Sequence, residues 1–166
     1  MKNLQSRHSY RLWVPGLLLL LFTWYALPAA ALEHKSPPQL VVSDFSTHEI
    51  IAVLPVKTGD RFTIRYIHSV DKTPIFEEFR LDLKQGLVLE KTWFTMFGAG
   101  LGHWPGHGDL HQDKEWITID NIEQPLESFI LRIGALSVGH TIIYHDREIN
   151  LSRRAAGVRA LIEFRR

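Results

Sequence analysis

The chain has 166 residues, of which 45% are apolar and 22% charged, a size and composition that suit one packed domain and exclude a disordered polymer. It has no cysteine, which removes disulfides, thiol catalysis, thiolate metal sites and a lipoprotein anchor. The net charge of +1 hides an asymmetry: Lys2, Arg7 and Arg11 precede the first hydrophobic run, and without these three, 16 of the 19 basic residues face 18 acidic ones. Nothing in that balance points to nucleic acid.

Residues 14–27 (VPGLLLLLFTWYAL) carry no charge and are followed by Pro28 and then Ala29-Ala30-Ala31. A basic start, a short apolar run and small residues at its end are the layout of a secretory signal peptide cut after Ala31. The alternative is an uncleaved signal anchor, since residues 14–32 are just long enough to cross a bilayer with the basic start held in the cytoplasm. Residues 1–31 are thus expected to be a signal peptide or anchor, 32–39 a linker around Pro37-Pro38, and 40–166 an exported, periplasmic domain. Such a domain, roughly 130 residues without covalent staples, depends on its hydrophobic core.

Short β-branched runs follow at 40–43 and 49–54, then two alternating runs at 61–68 and 75–83. Lys84-Gln85-Gly86 supplies a turn into the next run, in which Leu87, Leu89 and Trp93 share a face. Trp93, Phe94 and Phe97 read as core, and Trp104 as a lid or partner contact. Residues 97–113 (FGAGLGHWPGHGDLHQD) break the pattern with five of the eleven glycines, the mark of a long structured loop. Further strands are predicted at 115–120, 128–133, 138–144, 148–151 and 158–164, with a tight turn at His145-Asp146-Arg147. Residues 151–157 alone have a helical flavour. About nine short strands without a long helix predict an all-β, single-domain antiparallel sandwich or partly open barrel.

The two alternating runs carry most of the functional information. Phe62, Ile64, Tyr66 and His68 fall on one face of the first, and Ile75, Glu77, Phe79, Leu81 and Leu83 on one face of the second, because strand side chains alternate. A hairpin register with Ile64 opposite Phe79 and Phe62 opposite Leu81 gives an apolar inner face. It also gives an outer face of charge pairs, Arg65 with Glu78 and Arg61 with Asp82. The same register sets Tyr66 opposite Glu77 and His68 opposite Ile75. A phenol, an imidazole and a carboxylate then gather where the apolar ladder ends. Burying them unpaired would cost about 2 to 3 kcal/mol apiece. They therefore form either a satisfied polar plug or the floor of a ligand site.

Two other chemistries have candidate residues. His103, His107 and His111 stand four apart with Asp109 and Asp113 among them, a donor set for zinc or copper. Pro105, Gly106 and Gly108 forbid the helix that would put them on one face, so an exposed loop is the competing reading. Ser69, His68 and Glu77 contain the side chains of a nucleophile, a base and an orienting acid. Neighbours on a strand point to opposite faces, so Ser69 meets His68 only if the turn folds it back. No G-x-S-x-G elbow occurs. Gly98-Ala99-Gly100 is not a phosphate loop, because no Lys-Ser/Thr follows.

The segment Y-x-H-S-V-x-x-T-P-x-x-E-x-F, here running from Tyr66 to Phe79, and the turn Gly98-Ala99-Gly100-Leu101 resemble a bacterial family, domain of unknown function family 1850. Its members look like small exported proteins. The resemblance implies company with tripartite ATP-independent periplasmic (TRAP) transporters of the TAXI type, and hence a non-enzymatic accessory role in solute uptake. The implied partner is the transporter's solute receptor or membrane subunit. The motif positions here are Tyr66, His68, Ser69, Thr73, Pro74, Glu77, Gly98, Ala99 and Gly100, and a small organic anion is the expected ligand, with no cofactor. Where the family commonly has proline after G-A-G-L, this chain has Gly102 and the His-rich insert, so the loop histidines are poor candidates for a shared role.

Overall fold

Alternating apolar residues build most of this domain, and the pairing of their strands decides which side chains meet. The computed structural model describes residues 37–96 and 108–166. The predicted leader at 1–31, part of the linker, Phe97, Trp104, His103, His107 and the Gly98-Ala99-Gly100 turn lie outside the described residues.

In chain order the strands are β1 (Gln39–Asp44), β2 (Ile50–Pro55), β3 (Arg61–Ile67), β4 (Pro74–Asp82), β5 (Gly86–Phe94), β6 (Asp109–Gln112), β7 (Ile117–Asp120), β8 (Gln124–Arg132), β9 (Thr141–Tyr144), β10 (Arg147–Asn150) and β11 (Arg159–Arg165). One short helix, α1 (Leu151–Ala155), stands before β11. All pairings are antiparallel, in the order β10-β9-β3-β4-β5-β8-β11-β1-β2, while β7 pairs with β5 and β6 pairs with β7. The nine-strand path forms the nearly closed, barrel-like sheet that the alternation predicts. Its ends, β10 and β2, are not paired to each other. Helix α1, started by Asn150 accepting from the Arg153 amide at 2.8 Å, follows β10, and Arg154 Nη1 donates to the Ile51 carbonyl at 3.0 Å. A guanidinium thus occupies part of the open β2 edge, where exposed carbonyls would otherwise invite pairing.

The main core gathers Leu40, Val42, Leu54, Phe62, Ile64, Phe79, Leu81, Leu87, Ile142 and Ile162, among others. Phe62 stacks on Phe79 at 5.2 Å between ring centroids, and Phe79 on Phe129 at 5.1 Å. A second, smaller cluster of Ile75, Phe94, Ile117 and Ile119 lies where β4, β5 and β7 meet, and Tyr66 packs against both clusters.

The β3–β4 hairpin differs from its predicted register. Phe62 faces Phe79, Ile64 faces Glu77, Tyr66 faces Ile75 and Arg61 faces Arg80. A slip of two residues leaves every side chain on its predicted face, so the hydrophobic pattern alone could not detect it. The turn decides: the His68 amide donates to the Thr73 carbonyl at 2.8 Å, and the Lys72 amide to the His68 carbonyl at 3.1 Å. The predicted charge pairs change accordingly. Arg65 bonds Glu148 on β10 at 3.1 Å, and Arg61 bonds Glu90 on β5 at 2.6 Å.

A second difference lies in β5. Glu78 pairs with Lys91 and Phe79 with Leu89, so Glu90 is the extra residue of a β-bulge. The bulge reverses the alternation beyond it. Phe94 is in the core as predicted, but Trp93 is turned to the outer face, stacked on Phe76 at 5.0 Å with Lys91 Nζ over its ring. The predicted turn before β5 is present, with Gly86 at φ 73° and the Glu127 carbonyl 2.3 Å from where a Cβ would sit. Strand β6 was not expected, because Asp109–Gln112 is exposed at all four residues and carries no apolar alternation.

Candidate functional site

Tyr66 enters the site from the last turn of the β3 ladder. Its hydroxyl donates to Glu77 Oε1 at 3.4 Å, so the predicted meeting of phenol and carboxylate occurs, on the diagonal rather than directly across. The Glu77 backbone lies between Ile64 on β3 and Thr92 on β5. Burial pushes its carboxyl above the ordinary range, and the Tyr66 bond opposes that rise. Burial and the Glu77 charge push the Tyr66 phenol up, so it remains a neutral donor.

The third member was not predicted. Strand β9 pairs with β3 with Thr141 opposite Arg65, and one more step of that ladder brings His140 beside Tyr66. Their ring centroids are 5.1 Å apart. His140 is buried, and its Nδ1 accepts from the Gly134 amide at 2.9 Å, which places the ring proton on Nε2. Burial lowers its pKa, keeping the ring neutral. Ser152 fixes the backbone behind it, accepting from the His140 amide at 3.0 Å and donating to the Gly134 carbonyl at 2.9 Å. Since 74 residues separate Tyr66 from His140 in sequence, only the β3–β9 pairing could have revealed the contact.

His68, predicted to join Glu77, is held inside its own turn instead. Its Nδ1 lies 2.8 Å from Asp71 Oδ2 and 3.3 Å from the Asp71 amide. His68 Nδ1 accepts from the Asp71 amide, and among the described residues the buried Asp71 Oδ2 has no hydrogen-bond partner. The order nucleophile, base, acid is therefore not assembled from Ser69, His68 and Glu77. Ser69 is exposed, and its carbonyl accepts from Lys72 Nζ at 2.5 Å. Thr73 contributes its carbonyl to the turn.

On the outer face a contrasting cluster surrounds the bulge. Glu90, 9% exposed, accepts from Arg61 Nε at 2.6 Å and from Arg80 Nε, and Arg80 also reaches Asp82 and Glu123, each at 3.0 Å. Burial works to raise the Glu90 carboxyl, but the bonds and charges of the two arginines outweigh it and hold it low. A depression of about 320 Å³ lined by Arg61, Glu78, Glu90, Lys91, Asp120, Asn121 and Glu123 lies over this cluster. A larger one of about 470 Å³ lies between β2 and α1. Neither borders Tyr66, Glu77 or His140.

The loop donors are dispersed as far as they are described. His111 Nε2 is 3.3 Å from Asp120, Asp109 accepts from Asn121 at 2.8 Å, and Asp113 caps the amides of Glu115 and Trp116. Among the described residues no three His, Asp or Glu are grouped to hold a metal ion.

A family model described as Domain of unknown function (DUF1850) matches residues 62–151, more than half of the chain and all three members of the polar set. No curated protein and no solved structure matches the chain.

Proposed function

The chain belongs to the DUF1850 family, and on that premise we propose that it is an exported, non-enzymatic binding module that assists a TRAP solute transporter of the TAXI type. In this role it takes a small organic anion and contacts the transporter's solute receptor or membrane subunit in the periplasm, with residues 1–31 as the export signal or anchor. The observation that carries the reading is the bond from Tyr66 to Glu77 beside a neutral, buried His140. Tyr66 and Glu77 of the motif hairpin, with His140 beside them, are polar side chains on the core side of the sheet, and that placement suits a ligand site better than a core that apolar residues could fill.

The resemblance of the motif from Tyr66 to Phe79 supports the transporter setting, and the leader supports export. Deleting the gene should impair uptake of one organic anion, and a copy carrying Tyr66→Phe with Glu77→Ala should not restore it. Uptake unchanged across a broad panel of organic anions would overturn the reading. In-cell crosslinking should recover a receptor or membrane subunit of such a transporter, and recovery of none would remove that part of it.

A further inference from the structure

We propose that the outer edge of β2 binds β2 of a second copy of this chain, antiparallel about a two-fold axis at Val53.

The backbone of β2 supplies the first reason. The Val56 amide donates to the Pro38 carbonyl at 3.1 Å, and β2 runs against β1 with Leu54 opposite Leu40 and Ala52 opposite Val42. Bonded and non-bonded pairs alternate along an antiparallel ladder, so Leu54 and Ala52 spend their backbone groups on β1, while Val53 and Pro55 turn theirs away from it. The surface beyond is open: Val53 is 41% exposed and Ile50 53%. An outward N–H and C=O on a strand that ends the nine-strand path form a template for one more strand.

A second copy is selected over any other extended segment because this edge matches itself. With Val53 opposite Val53 of the second copy, each amide donates to the other carbonyl. Ile51 then faces Pro55 of the second copy, which has no N–H to give. The Ile51 carbonyl does not need one, since it already accepts from Arg154 Nη1 at 3.0 Å. The flanks match in charge as well. Glu49 precedes β2, Lys57 follows it, and both are exposed; the two-fold axis turns Glu49 of each copy toward Lys57 of the other. The depression of about 470 Å³ between β2 and α1 lies at that flank, lined by Asp44, Glu49, Ile50, Arg154 and Val158 among others. Two carboxylates against one guanidinium leave it negative, which suits the Lys57 ammonium of the second copy. Ile50 and Val158 offer apolar surface for the lysine stem. Symmetry makes each of these contacts twice.

The chain has no cysteine, so Val53→Cys puts a single thiol into the full chain. In the proposed pairing the two Cα atoms at this position stand about 5.5 Å apart, within reach of a disulfide. Mild oxidation should convert most of this variant to a reducible dimer. Leu136→Cys, at a position 68% exposed, should give little, although chance collision would favour it. Adding Lys57→Glu to Val53→Cys should cut the dimer yield several-fold. In the unaltered chain, hydrogen exchange at the Val53 amide should slow as protein concentration rises, while that at Glu148, on β10 at the other end of the path, should not change. That measurement needs no variant to fold. Equal dimer yields at positions 53 and 136, a yield indifferent to Lys57→Glu, or Val53 exchange indifferent to concentration would overturn the inference, and none of these results would touch the reading of the Tyr66–Glu77 site.

Discussion

Glu77 and Glu90 sit on neighbouring strands, β4 and β5, and the sheet treats them in opposite ways. Glu77 is on the core side with a phenol and a neutral imidazole nearby, and burial holds its carboxyl above the usual range. Glu90 is on the outer side, clamped by two guanidinium groups that hold its carboxyl below it. The same side chain is raised by burial in one place and serves as a counter-ion in the other. What differs is the set of charges the strands bring within reach. The Glu90 cluster explains how β3 and β4 tolerate Arg61 directly opposite Arg80, a juxtaposition that would otherwise destabilise the hairpin. No comparable structural need accounts for Glu77.

The sharpest way to break the contrast is to remove the counter-ion. Glu90→Ala leaves Arg61 and Arg80 facing each other, and should cost about 2 to 3 kcal/mol, less whatever water recovers at the exposed side of Arg61. A urea midpoint unchanged from the parent would show that the clamp holds nothing. Tyr66→Phe, on the other side, should cost about 1 kcal/mol at neutral pH. Since the Tyr66 bond holds Glu77 down, the variant should also titrate Glu77 higher, a shift readable by carboxyl NMR.

The pH dependence separates the two carboxyls by sign. Glu77 is raised in the fold, so its contribution is complete below the unfolded value of 4.5 and is lost as pH rises through its folded pKa. Glu77→Gln should therefore gain stability relative to the parent from pH 4 to pH 7. Glu90 is lowered, so its contribution is complete above 4.5 and is lost as pH falls through its folded pKa. Glu90→Gln should accordingly lose stability relative to the parent as pH rises towards 4.5 and run parallel to it from there to pH 7. Parallel stability curves for the two variants would erase the distinction. The smallest effect belongs to Arg65→Ala, which breaks a solvent-exposed pair with Glu148. It should cost less than about 0.5 kcal/mol, and a larger loss would show that the β3–β9–β10 edge is tied by more than packing.

Much of this was written in the local pattern of the chain, and the remainder was not, for identifiable reasons. Period-two alternation put Phe62, Ile64, Phe79 and Leu81 inside and placed Tyr66 and Glu77 on one face. It could not distinguish registers two residues apart, which the hydrogen bonds between His68 and Thr73 decide. It also could not see the bulge at Glu90, whose sequence context, Leu89-Glu90-Lys91, reads as ordinary strand, and so it put Trp93 on the wrong side. His68 was assigned to Glu77 because alternation put both on one face of the hairpin, whereas Asp71 captures the ring. His140 fell within the predicted 138–144 strand but was missed as a site residue because it reaches Tyr66 only through a long-range pairing.

The central claim is that burial raises the Glu77 carboxyl with no Lys or Arg among the described residues opposing the rise, and titration of the carboxyl carbons of the unliganded protein by NMR tests it most directly. Glu77 should titrate above 4.5 and Glu90 below it, with Glu77 moving higher still when the Tyr66 hydroxyl is removed. If Glu77 titrates together with the exposed carboxylates and ignores the Tyr66→Phe change, the site is open to water and the account is contradicted.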